Sequence, residues 1–102
     1  MNVGVPKETA RGERRVALVP ELVPKLAAAG LTVVVEAGAG MEAGFTDESY
    51  LQKGAQIQRE VLAQADIVLK VRRPSAEEIG KLRENSTLIG LLEPFTIDDA
   101  LR

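Results

Sequence analysis

The chain has no cysteine, no histidine and no tryptophan. Lacking thiol and imidazole, it can offer neither a Cys nor a His nucleophile or base, and no zinc site built from those ligands. Any chemistry must rest on Asp, Glu, Lys, Arg or a bound cofactor. The absence of cysteine is compatible with a reducing compartment without establishing one. No apolar run approaches the ~20 residues that span a bilayer, and Lys7, Glu8 and Arg11 break the N-terminal stretch before a signal-peptide pattern can form. Charge of one sign is also lacking. The 13 basic and 15 acidic residues leave a net charge of -2, which gives no electrostatic reason to expect nucleic acid or an anionic membrane surface as a partner.

Hydrophobic residues make up 45% and charged residues 27% of the 102 positions, the balance of an ordinary globular domain or part of one. Short, dense apolar runs recur at Val3 and Val5, at Val33 to Val35, at Ile67 to Leu69 with Val71, and at Leu88 to Leu92. Runs that are apolar at successive positions indicate strands covered on both faces, as in a parallel sheet between helices. A helix is predicted after Pro20, with Leu22, Val23, Leu26 and Ala27 as its stripe and Gly30 as its end. Pro24 argues against a regular first turn. Thr46, Asp47 and Glu48 open a second helix closed by Gly54, and residues 59–65 suggest a short helix leading to the strand near Asp66. Ser75 to Glu78 fits a capping box, with Ile79 and Leu82 as the buried side of its helix.

Together these elements predict an α/β fold. Its form is a flavodoxin-like three-layer sandwich with five parallel strands in the order 2-1-3-4-5. Thr96 to Asp99 looks like a further helix start only about one turn before the last residue. A helix that short is marginal alone, so the chain is expected to be the truncated front part of a longer domain.

Three constellations could carry chemistry. Val5-Pro6-Lys7-Glu8-Thr9 and the following Gly12 to Pro20 leave the first strand at its C-terminal end, where open α/β sheets place ligands. Lys7, Glu8, Arg11, Glu13, Arg14 and Arg15 crowd there, and an Arg in that place could grip a carboxylate through two parallel N–H bonds. The plainer reading is a solvated loop whose charges pair with one another. Gly38 to Ala43 satisfies G-x-G-x-x-A after a strand, with Glu60 near the offset of a ribose-binding acid. A phosphate cradle, however, needs its helix directly at the glycines, and the helix here is predicted only from Thr46 or Asp47. A tight turn is the competing reading. Lys70 and Arg72 lie at the C-terminal end of the fourth strand, on the same sheet edge as Arg15. They read either as strand-end charges or as part of a site.

These segments stand in collinear order with Glu36 to Gly40, Ala43 to Asp47, Gly54-Ala55 and Ala65 to Val71, ending at Pro74. Over about nine tenths of the chain they resemble the N-terminal signature of the family that joins alanine dehydrogenase, proton-translocating nicotinamide nucleotide transhydrogenase and relatives of saccharopine dehydrogenase. The resemblance implies a first, non-Rossmann domain, with the nucleotide fingerprint in a later domain. In the alanine dehydrogenase branch, it implies that the position of Arg15 grips the substrate carboxylate and that of Arg72 carries a catalytic Lys.

A guanidinium stays protonated and cannot replace a tuned Lys in proton exchange. Arg72 therefore favours the alpha subunit of the transhydrogenase branch. That branch implies hydride transfer between NADH and NADP+ coupled to proton translocation, with NAD and NADP held by the full enzyme and neither expected on this chain alone. It implies as partners the rest of the alpha subunit and a membrane-embedded beta subunit, a homodimer of the full domain, and a cytoplasmic place at the inner face of the membrane. Arg15, Lys70 and Arg72 are the cleft candidates; no catalytic residue is assigned. The alternatives are an alanine dehydrogenase-like amino-acid dehydrogenase with a substituted base, and a stand-alone binding or assembly module.

Overall fold

The computed structural model describes residues 1–9, 12–72 and 74–90. Among them, the strands are β1 (Asn2–Val5), β2 (Thr32–Glu36), β3 (Gln56–Gln58), β4 (Ile67–Lys70) and β5 (Thr87–Gly90). The helices are α1 (Val23–Ala28), α2 (Asp47–Gln52) and α3 (Ala76–Lys81), with 3-10 turns at Pro20–Leu22, Met41–Ala43 and Leu62–Gln64. The strands form one parallel sheet in the order β3-β2-β1-β4-β5. The four apolar runs thus lie in the sense expected, β2-β1-β4-β5. The departure from 2-1-3-4-5 is the third strand, which joins the outer edge beside β2 instead of lying between β1 and β4. Its sequence explains this, because Gln56 and Gln58 are exposed and a central parallel strand must bury both faces. The expected strand residues Leu91 and Leu92, the turn at Glu93-Pro94-Phe95 and the helix start at Thr96 lie outside the described residues.

Both faces of the sheet are covered. Val5, Val33 and Val35 pack on one side with Val23 of α1 and Tyr50 of α2. Each valine fully removed from water there is worth roughly 1.5–3 kcal/mol. Gly4 and Val68, paired in register, face the other side, where Leu62, Ala65, Leu82 and Leu88 surround Val68. This is the three-layer arrangement of the doubly wound class. The Tyr50 hydroxyl, fully buried, donates a 2.7 Å hydrogen bond to the Leu18 carbonyl. Burial pushes the phenol up to about 12, with Asp47 adding to the effect. The bond anchors the long loop after β1 to a helix on the sheet.

Local signals explain most boundaries. Thr46 caps α2 by accepting from the Ser49 N–H, and Gly54 closes it at φ +103°. Ser75 and Glu78 form the capping box of α3. α1 is preceded by the 3-10 turn at Pro20–Leu22, consistent with the disturbance expected from Pro24. The helix expected over residues 59–65 contracts to the 3-10 turn Leu62–Gln64. There the Gln64 side-chain amide donates to the Glu60 carbonyl, the acceptor that a helical Gln64 N–H would need, so side chain and backbone compete for one oxygen.

That turn presses on β1 at a point where only glycine fits. A Cβ at Gly4 would lie 2.7 Å from the Ala65 Cβ and 3.3 Å from the Val61 carbonyl oxygen. Gly4→Ala is expected to destabilise the fold by about 1–3 kcal/mol through overpacking, read as a lower urea midpoint; an unchanged midpoint would mean the turn yields freely.

Candidate functional site

The loops after β1 and β4 leave adjacent parallel strands at their C-terminal ends, so the chain brings them together on one rim. Glu13 is the joint. Its Oε2 accepts from Arg15 Nε at 2.8 Å and from the Arg15 backbone N–H at 2.9 Å. Its Oε1 accepts from Arg15 Nη2 and from Arg72 Nε, both at 2.8 Å. The Glu13 side chain is only 2% exposed beneath the two arginines, whereas Arg15 and Arg72 are 54% and 44% exposed. Hydrogen bonds from the Arg15 guanidinium, then from its backbone N–H and from Arg72, hold the Glu13 carboxyl well below the usual carboxylate range. Glu13 in turn raises Arg15. Arg15 and Arg72, singled out from sequence, therefore meet through a third residue.

Lys70 lies elsewhere. Its side chain is 2% exposed, with Nζ 3.1 Å from Glu78 Oε2 and 3.5 Å from Glu8 Oε1. It points inward beneath the rim, away from the Glu13 pairing. Glu8 accepts the backbone N–H groups of Val71 at 2.9 Å and Arg72 at 3.2 Å. Glu78 Oε1 accepts the Ser75 N–H at 2.9 Å. One ammonium thus connects the β1 loop, the strand end and the first turn of α3. Burying such charges is costly unless each finds further hydrogen bonds; here both carboxylates do.

Glu8, Glu13 and Glu78 carry this geometry and were not site candidates in the sequence reading. The charge crowd after β1 contained Glu8 and Glu13, and the capping box contained Glu78. Their inward direction had no sequence signature.

The glycine-rich stretch is a turn. Gly38 adopts φ +81° and its N–H donates to Asp47 Oδ1 at 2.8 Å. A Cβ at Gly40 would stand 2.7 Å from Tyr50 Cε2, so this glycine admits a core tyrosine. A carboxylate of the chain takes the N–H a phosphate would need, and three residues of 3-10 turn intervene before α2. These residues do not fit the pyrophosphate of a nicotinamide dinucleotide. Glu60 gains no ribose-binding context from them.

A cavity of about 220 Å³ opens on the same edge, lined by residues that include Lys7, Glu36, Arg59, Glu60, Ser75 and Glu78. Arg15, Lys70 and Arg72 are not among its lining residues. Glu36, at the end of β2, accepts the Lys7 N–H at 3.2 Å. Burial raises its carboxyl above the ordinary 4.5, opposed by that hydrogen bond and reinforced by Glu60 and Glu78. Among the described residues, no three His, Cys, Asp or Glu side chains gather to hold a metal ion.

Residues 4–102 match the family model described as alanine dehydrogenase/PNT, N-terminal domain. The chain is 42% identical over 97 residues to the NAD(P) transhydrogenase subunit alpha of Cereibacter sphaeroides, covering 92% of this chain and 18% of that one. It is 43% identical over 93 residues to alanine dehydrogenase 1 of Staphylococcus aureus, covering 90% and 25% respectively. The solved transhydrogenase of Sinorhizobium meliloti superposes with a TM-score of 0.84 at 36% identity, over 99% of this chain and 31% of that one. The chain therefore spans about a fifth to a third of these relatives' lengths.

Two substitutions check the electrostatics. Glu8→Ala takes a buried carboxylate away from the Lys70 ammonium and from the Val71 and Arg72 backbone N–H groups; a loss of about 3 kcal/mol is expected in chemical denaturation, with Glu8→Gln less severe. For Glu36 the sign runs the other way. A carboxyl raised by folding is no burden while protonated in both states, and its cost appears as pH rises through the raised value. Glu36→Gln is therefore expected to stabilise the fold near pH 7 by under about 1 kcal/mol, given partial solvent screening. That gain should vanish near pH 4, which paired melts at the two pH values would read.

Proposed function

The chain belongs to the family of alanine dehydrogenase/PNT N-terminal domains, and from that premise we propose that it is the front part of the first domain of an NAD(P) transhydrogenase alpha subunit. Overall identity does not separate the branches, since the transhydrogenase and alanine dehydrogenase relatives stand at 42% and 43%. The observation that carries the choice is Arg72, a guanidinium paired with Glu13 at 2.8 Å. In the dehydrogenase branch, the resemblance implies a Lys able to exchange protons with substrate at that position. A permanently protonated Arg cannot do so.

In this reading the full enzyme passes hydride between NADH and NADP+ and couples the transfer to proton movement across a membrane. The segment contributes one wall of the interdomain cleft. The dinucleotide is held by protein beyond it, in keeping with the filled glycine turn at Gly38 and Gly40. What these residues do is positional: Glu13 fixes the two arginines, and Glu8 with Lys70 fixes the loop that bears Arg72. The partners are the rest of the alpha subunit and a membrane-embedded beta subunit, and the full domain pairs as a homodimer. The assembly lies at the cytoplasmic face of the membrane; no helix among the described residues is long and apolar enough to cross it.

The protein at its full natural length, reconstituted with its membrane partner, is expected to move hydride between NADPH and an NAD+ analogue. Robust turnover of pyruvate with ammonia and NADH would sink the reading in favour of an amino-acid dehydrogenase. Residues 1–102 alone are expected to show no NADH binding by calorimetry, and micromolar affinity there would overturn the placement of the dinucleotide outside this segment.

A further inference from the structure

The cavity beside the rim is built from different strands. The rim uses the ends of β1 and β4, whereas the cavity takes Lys7 after β1, Glu36 at the end of β2, and Arg59 and Glu60 directly after β3. β3, β2 and β1 are neighbours in the parallel sheet, and the C-terminal ends of such strands are where open α/β sheets place ligands. Two further acids on the wall already face cations of the chain, Glu78 with Lys70 at 3.1 Å and Glu77 with Lys81 at 3.9 Å. Among the described residues, Lys7, Arg59, Glu36 and Glu60 enter no ion pair, with one another or elsewhere. Two cations and two carboxylates thus border one cavity while standing beyond pairing distance.

These charges differ in depth. Glu36 is half-buried, while Lys7, Arg59 and Glu60 are exposed. Glu36 Oε1 accepts the Lys7 backbone N–H at 3.2 Å, and no side-chain cation faces this carboxylate at pairing distance. Burial raises its carboxyl, with Glu60 and Glu78 adding to the effect, so the anion has lost water that the chain does not replace with a positive charge. The Lys7 ammonium stands over the turn after β2, where a Cβ on Gly38 would lie 4.0 Å from Nζ. The space, about 220 Å³, is below the roughly 300–1,000 Å³ of drug-sized pockets, which limits an occupant to a few heavy atoms. We propose that this cavity binds a small dipolar ion of the free amino-acid class, with its ammonium group beside Glu36 and Glu60 and its carboxylate held by Lys7 and the Arg59 fork. The proposal stands apart from the transhydrogenase reading, because Arg15, Lys70 and Arg72 do not line the cavity.

The test uses the protein at its full natural length, titrated with γ-aminobutyrate by calorimetry at pH near 7, constant ionic strength and without nicotinamide. Saturable binding with Kd on the order of 1 mM or tighter is expected. Acetate and methylammonium, which each carry one of the two charges, are expected to bind at least about tenfold more weakly. Glu36→Gln and Arg59→Ala are each expected to weaken γ-aminobutyrate binding by about tenfold or more, since each removes one half of the recognition. If Glu36→Gln fails to fold by circular dichroism, Arg59→Ala decides alone, because its side chain is exposed and surface substitutions rarely disturb a fold. The absence of saturable binding, acetate or methylammonium binding as tightly as the dipolar ion, or binding that survives either substitution in a folded variant would overturn the proposal. No hydride is transferred in this titration, so its failure is distinct from failure of the transfer assay.

Discussion

The rim depends on one buried carboxylate, that of Glu8. Two residues past the β1 loop's opening Pro6, it accepts the first two backbone N–H groups after β4 and faces the Lys70 ammonium. β1 and β4 are register-paired neighbours, so their C-terminal ends emerge side by side in any case. Adjacency alone would leave two polar loops free to diverge. The Glu8 bonds remove that freedom and satisfy the buried Val71 N–H, a donor whose desolvation without a partner would cost roughly 1–3 kcal/mol. Arg72 follows directly from this clamp, since its own N–H is one of the two held.

With that loop fixed, the Glu13 pairing becomes possible. Charge on this edge is sorted by depth: Lys70 lies inside between Glu8 and Glu78, Glu13 lies under the surface, and the two arginines cover it. Hydrogen bonds rather than bare Coulomb attraction dominate the lowering of Glu13, which is why so exposed a pair of arginines can hold one carboxylate so firmly. On the same edge, the glycine turn that could have been a dinucleotide cradle is filled from within the chain, by Asp47 at Gly38 and by Tyr50 at Gly40.

Much of the fold was legible because it follows from local rules. Val33, Val34 and Val35 in succession read as a strand covered on both faces, and all three are buried. Thr46 and Ser75 announced helix starts through hydroxyls that accept the N–H three residues on. Gln56 to Gln58 was not legible as a strand, because its polar side chains carry no apolar signal and only pairing with β2 makes it extended. The collapse of the helix around residues 59–65 was equally hidden, since it turns on where one Gln amide points.

For the site, the amino-acid order by itself determined the chemical inventory, the sheet edge on which it lies and the family: which charges exist, that they follow strands with parallel-sheet character, and how their motifs line up. Only the tertiary structure decided which charges meet. Arg15 and Arg72 are joined through Glu13, while Lys70, two residues from Arg72, turns inward to Glu8 and Glu78. The physical reason is that strand position sets which end of the sheet a residue occupies, a local property, whereas pairing depends on contacts such as Glu8 with Arg72, 64 residues apart, and on desolvation that exists only once the layers have closed.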